Sequence, residues 1–350
     1  MTADGSHPGS ARSVAVLGAG SWGTTFAKIL ADAASAAGDQ RSIRLWGRRS
    51  EVVEQINSIH RNIQYLKDIP LPVSITASTD VRAVLAGADL VVLAVPAQSL
   101  RLQLREWKSM IAPDAMVVSL MKGLELSTDA RMSEVISEEL DIPKDRIAVV
   151  SGPNLAMEIA REEPTASVVA CIDSAAAGWI ARSCTAPYFR PYTTADIVGV
   201  EIGGIVKNVI ALAVGICEGK QMGDNTKASV ITRGLAETSR LALALGGEAR
   251  TMAGLAGLGD LVATCSSPLS RNHTAGRLLG QGLTLDEVSQ KMTQTAEGIK
   301  SGQAVHELAG KLGVDMPITA AVVAVLAGKL SVDQLGPVLL ARDLKPEGDY

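Results

Sequence analysis

Aromatic residues make up only 3% of this 350-residue chain, with two Phe, four Trp and four Tyr. Few platforms exist on which single-stranded nucleic acid could stack. A basic excess is missing as well, since 33 Lys+Arg stand against 37 Asp+Glu for a formal charge of −4. No strongly cationic surface is available to neutralise a phosphate backbone, so no nucleic-acid partner is expected. Cysteine is scarce: Cys171, Cys184, Cys217 and Cys265 have no CxxC spacing and no neighbouring His cluster. Structural zinc and a disulfide framework are therefore both poor readings. His7, His60, His273 and His306 are scattered without an HExxH, which argues against a metallohydrolase and leaves no metal site in view. Residues 1–10 are polar and contain no basic region leading into an apolar one, so no signal peptide is expected. The most apolar stretches, such as Ile318 to Gly328, are about half the length needed to span a bilayer, and no transmembrane segment is read. These absences predict a cytoplasmic protein with free thiols.

Core-forming material is plentiful, at 47% hydrophobic and 20% charged residues, and the length favours two domains. Short β-rich runs recur at Val14–Leu17, Ile43–Trp46, Leu90–Val95, Met116–Leu120 and Ile147–Val150, with amphipathic stretches between them. Such alternation predicts a doubly wound α/β domain. The near-continuous apolar run at Leu90–Val95 suits a strand buried on both faces of a parallel sheet. The last strand-like segment surrounds Tyr192. From Ala195 onward, Gly, Ala and Leu recur at helical spacing through Ile202–Val214, Ser229–Leu245, Gly298–Leu312 and Thr319–Leu326. The expected organisation is an α/β domain over 12–194 and a helical domain over 195–340.

Gly18-Ala19-Gly20-Ser21-Trp22-Gly23 fits GxGxxG directly after a strand and before a helix. Gly18 allows the tight turn, Gly20 lets the backbone approach a pyrophosphate, and Gly23 permits close helix–strand packing. An ordinary βα turn is the plain alternative; the strand–turn–helix context favours a dinucleotide. Where an acidic residue would end the second strand, this chain has Gly47-Arg48-Arg49. A carboxylate there would repel a 2′-phosphate, whereas two guanidiniums accept it in a forked geometry. A solvated basic pair opening a helix is the alternative. NADP or NAD is the expected cofactor. No GxSxG elbow is present, and no Gly-Lys pair is followed by the Ser or Thr of a P-loop.

Lys207 and Asn208 sit inside Ile202–Leu212, a helix apolar on nearly all faces. A lysine there either snorkels to water or occupies a polar pocket with a partner, where it could serve as an acid–base group. Gly203 and Ala211, one turn to either side, are expected to leave space for a ligand. Lys122 follows the strand Met116–Leu120 at its carboxyl end, where open α/β sheets bind ligands, although a loop lysine is commonly just solvated. Ser151-Gly152-Pro153-Asn154 likewise follows a strand and opens a helix. Ser270 reads as the N-cap of a helix through Leu279 with Arg271 in its first turn, a plausible phosphate-ester site or a merely capped surface helix. Asp260, in the glycine-rich Gly257–Leu261, could orient a lysine or simply cap a helix.

GAGSWGT, LMKGLE, SGPNLAMEIA, EIGGIVKNVIALAVGICEG, GLAGLGDLVATC and SRNHTAGRLLGQG occur in this order from Val14 to about Leu330. Together they make the chain resemble the NAD(P)-dependent glycerol-3-phosphate dehydrogenase family in its bacterial biosynthetic form. The resemblance implies an N-terminal Rossmann-type domain, an all-helical C-terminal domain and a homodimer. It also implies site residues. Ser21 and Trp22 would contact the cofactor, with Arg48 and Arg49 at its adenosine end and Tyr65 counted beside them. Lys122 would reach cofactor and substrate, Gly152 and Asn154 would border the substrate, and Ala156 the cofactor. Lys207 would be the proton acceptor in alcohol oxidation, with Lys122 as electrostatic support. Asp260, Ser270, Arg271 and Asn272 would hold the glycerol phosphate, Arg271 also touching the cofactor, and Thr295 and Glu297 would complete the nucleotide site. Three positions depart from the family's habit: Asn154-Leu155-Ala156 after Gly-Pro, Ala97 after Val-Pro, and the neighbours of Tyr65. They bear on details of contact and leave the reaction alone.

The implied activity is reduction of dihydroxyacetone phosphate to sn-glycerol 3-phosphate for glycerophospholipid synthesis. A catalytically silent dinucleotide sensor is the rival from another class. A two-domain reductase of another hydroxy or keto substrate is the rival among enzymes.

Overall fold

The structure, a computed structural model, describes residues 10–292, 297–343 and 346, and of Glu297 the backbone alone. The chain divides into two compact units. One holds the residues up to Lys122 together with Ala130–Ile197, the other Gly123–Asp129 with the residues from Val198 on.

The first unit is built on eight strands: β1 (Ser13–Leu17), β2 (Ser42–Trp46), β3 (Ile75–Ser78), β4 (Leu90–Leu93), β5 (Met116–Ser119), β6 (Ile147–Ser151), β7 (Thr165–Ala170) and β8 (Phe189–Thr194). They form one sheet in the order β3-β2-β1-β4-β5-β6-β7-β8. Every pair is parallel except β6 with β7. Strand β1 lies between β2 and β4, with Val14 opposite both Ile43 and Leu90. The chain reverses its direction of travel across the sheet there, and ligands of such sheets bind beyond the carboxyl ends of the strands at that point.

Alternate residues of each central strand feed opposite faces. Val14, Val16, Val92 and Val118 pack with Phe26 and Ile29, whereas Ala15, Leu17, Val91 and Val117 pack with Leu104 and Trp107. A strand covered on both sides must be apolar at every position, which is why these runs stood out. Strands β3 and β7 did not. Only Ile75 of the four-residue edge strand β3 is buried, and β7 opens with Thr165, Ala166 and Ser167, of which only Thr165 favours a strand.

After Thr194 the described residues contain no strand. The second unit is built chiefly from helices Ile197–Gly219, Asp224–Ala244, Arg271–Gly280, Glu297–Lys311 and Pro317–Leu326. Helix Ile197–Gly219 corrects only the estimated length of the most apolar stretches, because by length and composition its 23 residues, with a mean hydropathy of 1.9, could span a bilayer. Its apolar window is 94% buried inside the protein, so its side chains are already covered by neighbouring helices.

Glu237 shows how this unit handles a buried carboxyl group. The carboxylate is only 1% exposed. It accepts hydrogen bonds from the backbone N–H of Ile318, the backbone N–H of Thr319 (3.1 Å) and the Thr319 hydroxyl (3.0 Å), at the start of helix Pro317–Leu326. Without it, two helix-start donors would be orphaned. Glu237→Ala should cost about 2–4 kcal/mol of stability, measured as a shift in the urea midpoint. Burial lifts this carboxyl from 4.5 to about 7, against the opposing pull of its three donors. The folded chain therefore holds this proton to higher pH than the unfolded chain. The group's contribution is full below the unfolded value and declines as pH rises through about 7. Glu237→Gln should remove that slope between about pH 4.5 and about pH 7.

Candidate functional site

In the first unit the glycine-rich turn joins β1 to helix Ser21–Ala37. Gly18 has φ +129°, and a Cβ there would lie 2.3 Å from the Ala94 carbonyl oxygen at the end of β4. A Cβ on Gly23 would lie 1.9 Å from the Gly18 carbonyl oxygen. Both glycines are therefore demanded by backbone contact. Gly20 is different: nothing lies within 4 Å of its Cβ position, so its side of the turn is open to a ligand.

Helix Ser21–Ala37 starts with no side-chain cap and no acidic residue in its first turn. An open helix start with its positive dipole end suits an anion. Trp22 Nε1 is buried with no partner among the described residues. These features fit a dinucleotide pyrophosphate.

Arg48 and Arg49 follow β2 and are both exposed. They are not equivalent. The Arg49 guanidinium donates to the Tyr65 hydroxyl and stands 5.3 Å from the centre of its ring, whereas Arg48 has no such contact among the described residues. The Ser21 hydroxyl donates to the Tyr65 carbonyl at 3.4 Å. Asn62, fully buried, donates from Nδ2 to the Ala19 carbonyl (3.0 Å) and the Thr24 hydroxyl (2.9 Å).

A second group lies at the ends of β5 and β6. Lys122 Nζ donates to the Gly152 carbonyl at 3.0 Å. Asn154 Nδ2 donates to the Ser167 hydroxyl (3.1 Å), which in turn donates to the Ser151 carbonyl (2.9 Å). Asn154 Oδ1 and Ser151 Oγ are buried without partners among the described residues. The Ala156 carbonyl accepts from the Thr25 hydroxyl at 3.2 Å, tying this segment to the dinucleotide-type helix.

In the second unit Lys207 is 8% exposed, and it does not snorkel. Its ammonium donates to Asp260 Oδ1 and to the Thr264 hydroxyl (2.8 Å), and Thr264 also donates to Asp260 at 3.2 Å. A single π turn over Leu255–Gly259 delivers Asp260 to the start of helix Asp260–Ser266. The expected ligand space at Gly203 is not there. A Cβ on Gly203 would lie 2.4 Å from the Ala256 carbonyl oxygen, so the missing side chain admits the π turn and brings Asp260 within reach.

Ser270 caps helix Arg271–Gly280, its hydroxyl accepting from the His273 N–H at 3.2 Å, and Arg271 is exposed in the first turn. Asn272, 7% exposed, donates to Asn208 Oδ1 (2.9 Å) and accepts from the Gly298 N–H (2.8 Å). Its side chain thus ties three helices together. Thr295 lies outside the described residues, and Glu297 opens helix Glu297–Lys311. All four cysteines are buried and free. Burial pushes the thiol of Cys265, whose charge would feel Lys207, up to about 12, so it is no nucleophile.

Sequence reasoning missed Asn62, Ser167 and Thr264. Thr264 was detectable, since it stands four residues after Asp260 on one helix face. Asn62 and Ser167 carried no local signal, because their partners are 38 to 43 and 13 to 16 residues away.

Residues 13–177 match the family model for the N-terminus of NAD-dependent glycerol-3-phosphate dehydrogenase, and residues 196–336 match that for its C-terminus. Glycerol-3-phosphate dehydrogenase (NAD(P)+) of Thermobifida fusca is 57% identical over 334 residues, which are 95% of this chain and 98% of the relative. That of Streptomyces griseus is 55% identical over 97% of this chain and 99% of its own. The crystal structure of glycerol-3-phosphate dehydrogenase from Coxiella burnetii superposes with a TM-score of 0.88 at 36% identity, covering 95% of this chain and 99% of the other.

The buried ion pair gives a prediction of its own. Asp260→Ala strips the buried ammonium of its carboxylate and should cost about 3–5 kcal/mol of stability in urea unfolding. The double change Lys207→Met with Asp260→Leu should recover most of that loss, because an apolar pair replaces both charges. A double variant as unstable as Asp260→Ala would mean the pair is not the source of the cost.

Proposed function

The chain belongs to the NAD-dependent glycerol-3-phosphate dehydrogenase family, and from that premise we propose how its own residues carry out the reaction. It is an NAD(P)-dependent oxidoreductase interconverting dihydroxyacetone phosphate and sn-glycerol 3-phosphate. The direction we assign is reduction of the ketone, supplying the backbone of glycerophospholipids.

A nicotinamide cofactor, when bound, would supply the hydride. The chain binds, orients and moves the proton. The glycine turn Gly18 and Gly20, with Ser21, Trp22 and Gly23 in the first turn of the helix it opens, would hold the pyrophosphate, and Arg48 and Arg49 would accept a 2′-phosphate. Ala156, Thr295 and Glu297 would complete the nucleotide site. Arg271, at a capped helix start, anchors the substrate phosphate with Ser270, and Gly152, Asn154 and Asn272 border the substrate. Lys122 offsets charge developing on the ketone oxygen. Lys207 Nζ gives that oxygen its proton, and takes it back in alcohol oxidation. Asp260 and Thr264 hold the ammonium in place by the bonds described above. Functionally, 12–194 is the dinucleotide-binding domain and 195–340 the substrate domain. A cytoplasmic homodimer completes the proposal; four buried free thiols suit a reducing compartment.

The observation that carries this reading is the buried Lys207–Asp260–Thr264 cluster. Burying an ammonium costs several kcal/mol even when it is paired. A silent dinucleotide sensor has no use for that outlay, and a reductase of non-phosphorylated ketones has no use for a phosphate anchor. The test is NADPH consumption by the purified protein with dihydroxyacetone phosphate, with non-phosphorylated ketones and with no ketone. Oxidation only with the phosphorylated ketone supports the assignment; equal rates with dihydroxyacetone, or none with any ketone, sink it.

Lys207→Ala should lower kcat by about a hundredfold or more while leaving NADPH binding nearly unchanged. Near-normal turnover would remove Lys207 from its role. Replacing Arg48 and Arg49 together by Ala should lower kcat/KM for NADPH on the order of a hundredfold and for NADH much less, since each charge-assisted contact is worth about 1.5–3 kcal/mol. An unchanged NADPH/NADH ratio would leave the pair as a solvated helix start.

A further inference from the structure

Two features beside the glycine-rich turn are unexplained by folding alone. Asn62 Oδ1 is buried without a partner among the described residues, although Nδ2 of the same side chain makes two bonds. Buried acceptors left unpaired are rare, and each needs a reason. The second feature is the pairing of Arg49 with Tyr65. An exposed arginine ordinarily samples many rotamers, and holding it in one has an entropic cost.

Both features belong to one short stretch, Asn62–Leu66. Asn62 precedes the helical turn Ile63–Leu66, and Tyr65 lies within it. Asn62 grips the turn through the Ala19 carbonyl, between Gly18 and Gly20, and through Thr24 in the first turn of the helix. Three residues later Tyr65 takes Arg49 by its hydroxyl and by its ring face, while its carbonyl accepts from Ser21. The stretch thus touches the pyrophosphate end and the arginine end of the cofactor site at once.

We propose that Asn62–Leu66 is a positioning brace: Asn62 fixes the turn that receives the pyrophosphate, and Tyr65 pre-orients Arg49 for the 2′-phosphate, so that Tyr65 sets preference for NADPH through Arg49. The proposal rests on the reading of Arg48 and Arg49 as the 2′-phosphate acceptors. The two halves of the brace have different consequences. The pyrophosphate is common to NADPH and NADH, so loosening Asn62 weakens both cofactors alike. The 2′-phosphate belongs to NADPH alone, so releasing Arg49 weakens NADPH selectively. Within the Arg49–Tyr65 pair the hydroxyl and the ring face act together, and a phenylalanine keeps only the ring.

The experiment is calorimetric titration of the full chain with NADPH and with NADH, without substrate, on Arg49→Ala, Tyr65→Leu, Tyr65→Phe, Asn62→Ala and the double variant Arg49→Ala with Tyr65→Leu. Tyr65→Leu should weaken NADPH by about threefold to tenfold with NADH changed little, and Tyr65→Phe should fall between it and the parent. In the Arg49→Ala background Tyr65→Leu should have no further effect, since its partner is gone. Asn62→Ala should weaken both cofactors by a similar factor; where that variant does not fold, the Tyr65 series decides. If Arg49→Ala leaves the NADPH/NADH affinity ratio unchanged, the 2′-phosphate reading itself is wrong. If Arg49→Ala lowers that ratio but Tyr65→Leu does not, or if the two changes add fully in the double variant, Tyr65 does not act through Arg49 and the brace is overturned.

Discussion

The helical unit depends on one awkward requirement, an ammonium group kept inside a core helix. Helix Ile197–Gly219 is apolar enough to cross a membrane, and Lys207 lies in it only 8% exposed. An unpaired charge at such a depth would not be tolerated. Much of the local architecture follows from pairing it. Gly203 lacks a side chain where the Ala256 carbonyl arrives, a π turn over Leu255–Gly259 follows, and Asp260 and Thr264 emerge one helical turn apart to meet the ammonium. Asn208, the next residue along, is bound by Asn272, which also holds the N–H of Gly298. The polar residues of this core therefore form connected groups, which is how buried polarity is tolerated.

The α/β unit answers a different requirement, close approach of backbone to backbone. Gly18 and Gly23 are needed because carbonyl oxygens occupy the places where their side chains would be, whereas Gly20 faces open space. A glycine motif of this kind has two functions at once: two positions pack the turn onto the sheet and one leaves it approachable. The turn is then held by Asn62 through the Ala19 carbonyl and tied, through the Ser21 hydroxyl, to the Tyr65 carbonyl. In the reaction proposed above the cofactor would carry the redox chemistry, and the part assigned to the chain is to hold the phosphates and to place a proton.

Much of this was legible in the amino-acid order. The apolar runs at Val14–Leu17, Leu90–Leu93 and Met116–Ser119 announced central strands because both their faces are covered. The helical texture after Ala195 was equally plain. Ser270 was readable as a cap from its place before Arg271–Gly280. An isolated lysine and asparagine in an apolar helix marked Lys207 and Asn208 as residues in need of partners, and Asp260 was a candidate because it stood in a glycine-rich segment.

What the sequence by itself determined was the alternation of strands and helices, the glycine turn, the basic pair that follows β2 and a lysine set in an apolar helix, whose burial the structure then settled. All of these rest on local rules, the period of side chains along a strand or helix and the room a glycine leaves. Only the tertiary structure decided which side chains meet. Strand β7 became a strand through pairing antiparallel to β6, Gly203 proved to admit a backbone and not a ligand, and Asn62 reached a carbonyl 43 residues away. Tyr65 and Arg49 came together for the same reason. Contacts between residues far apart in sequence depend on how whole elements pack, and no window of neighbouring residues records that.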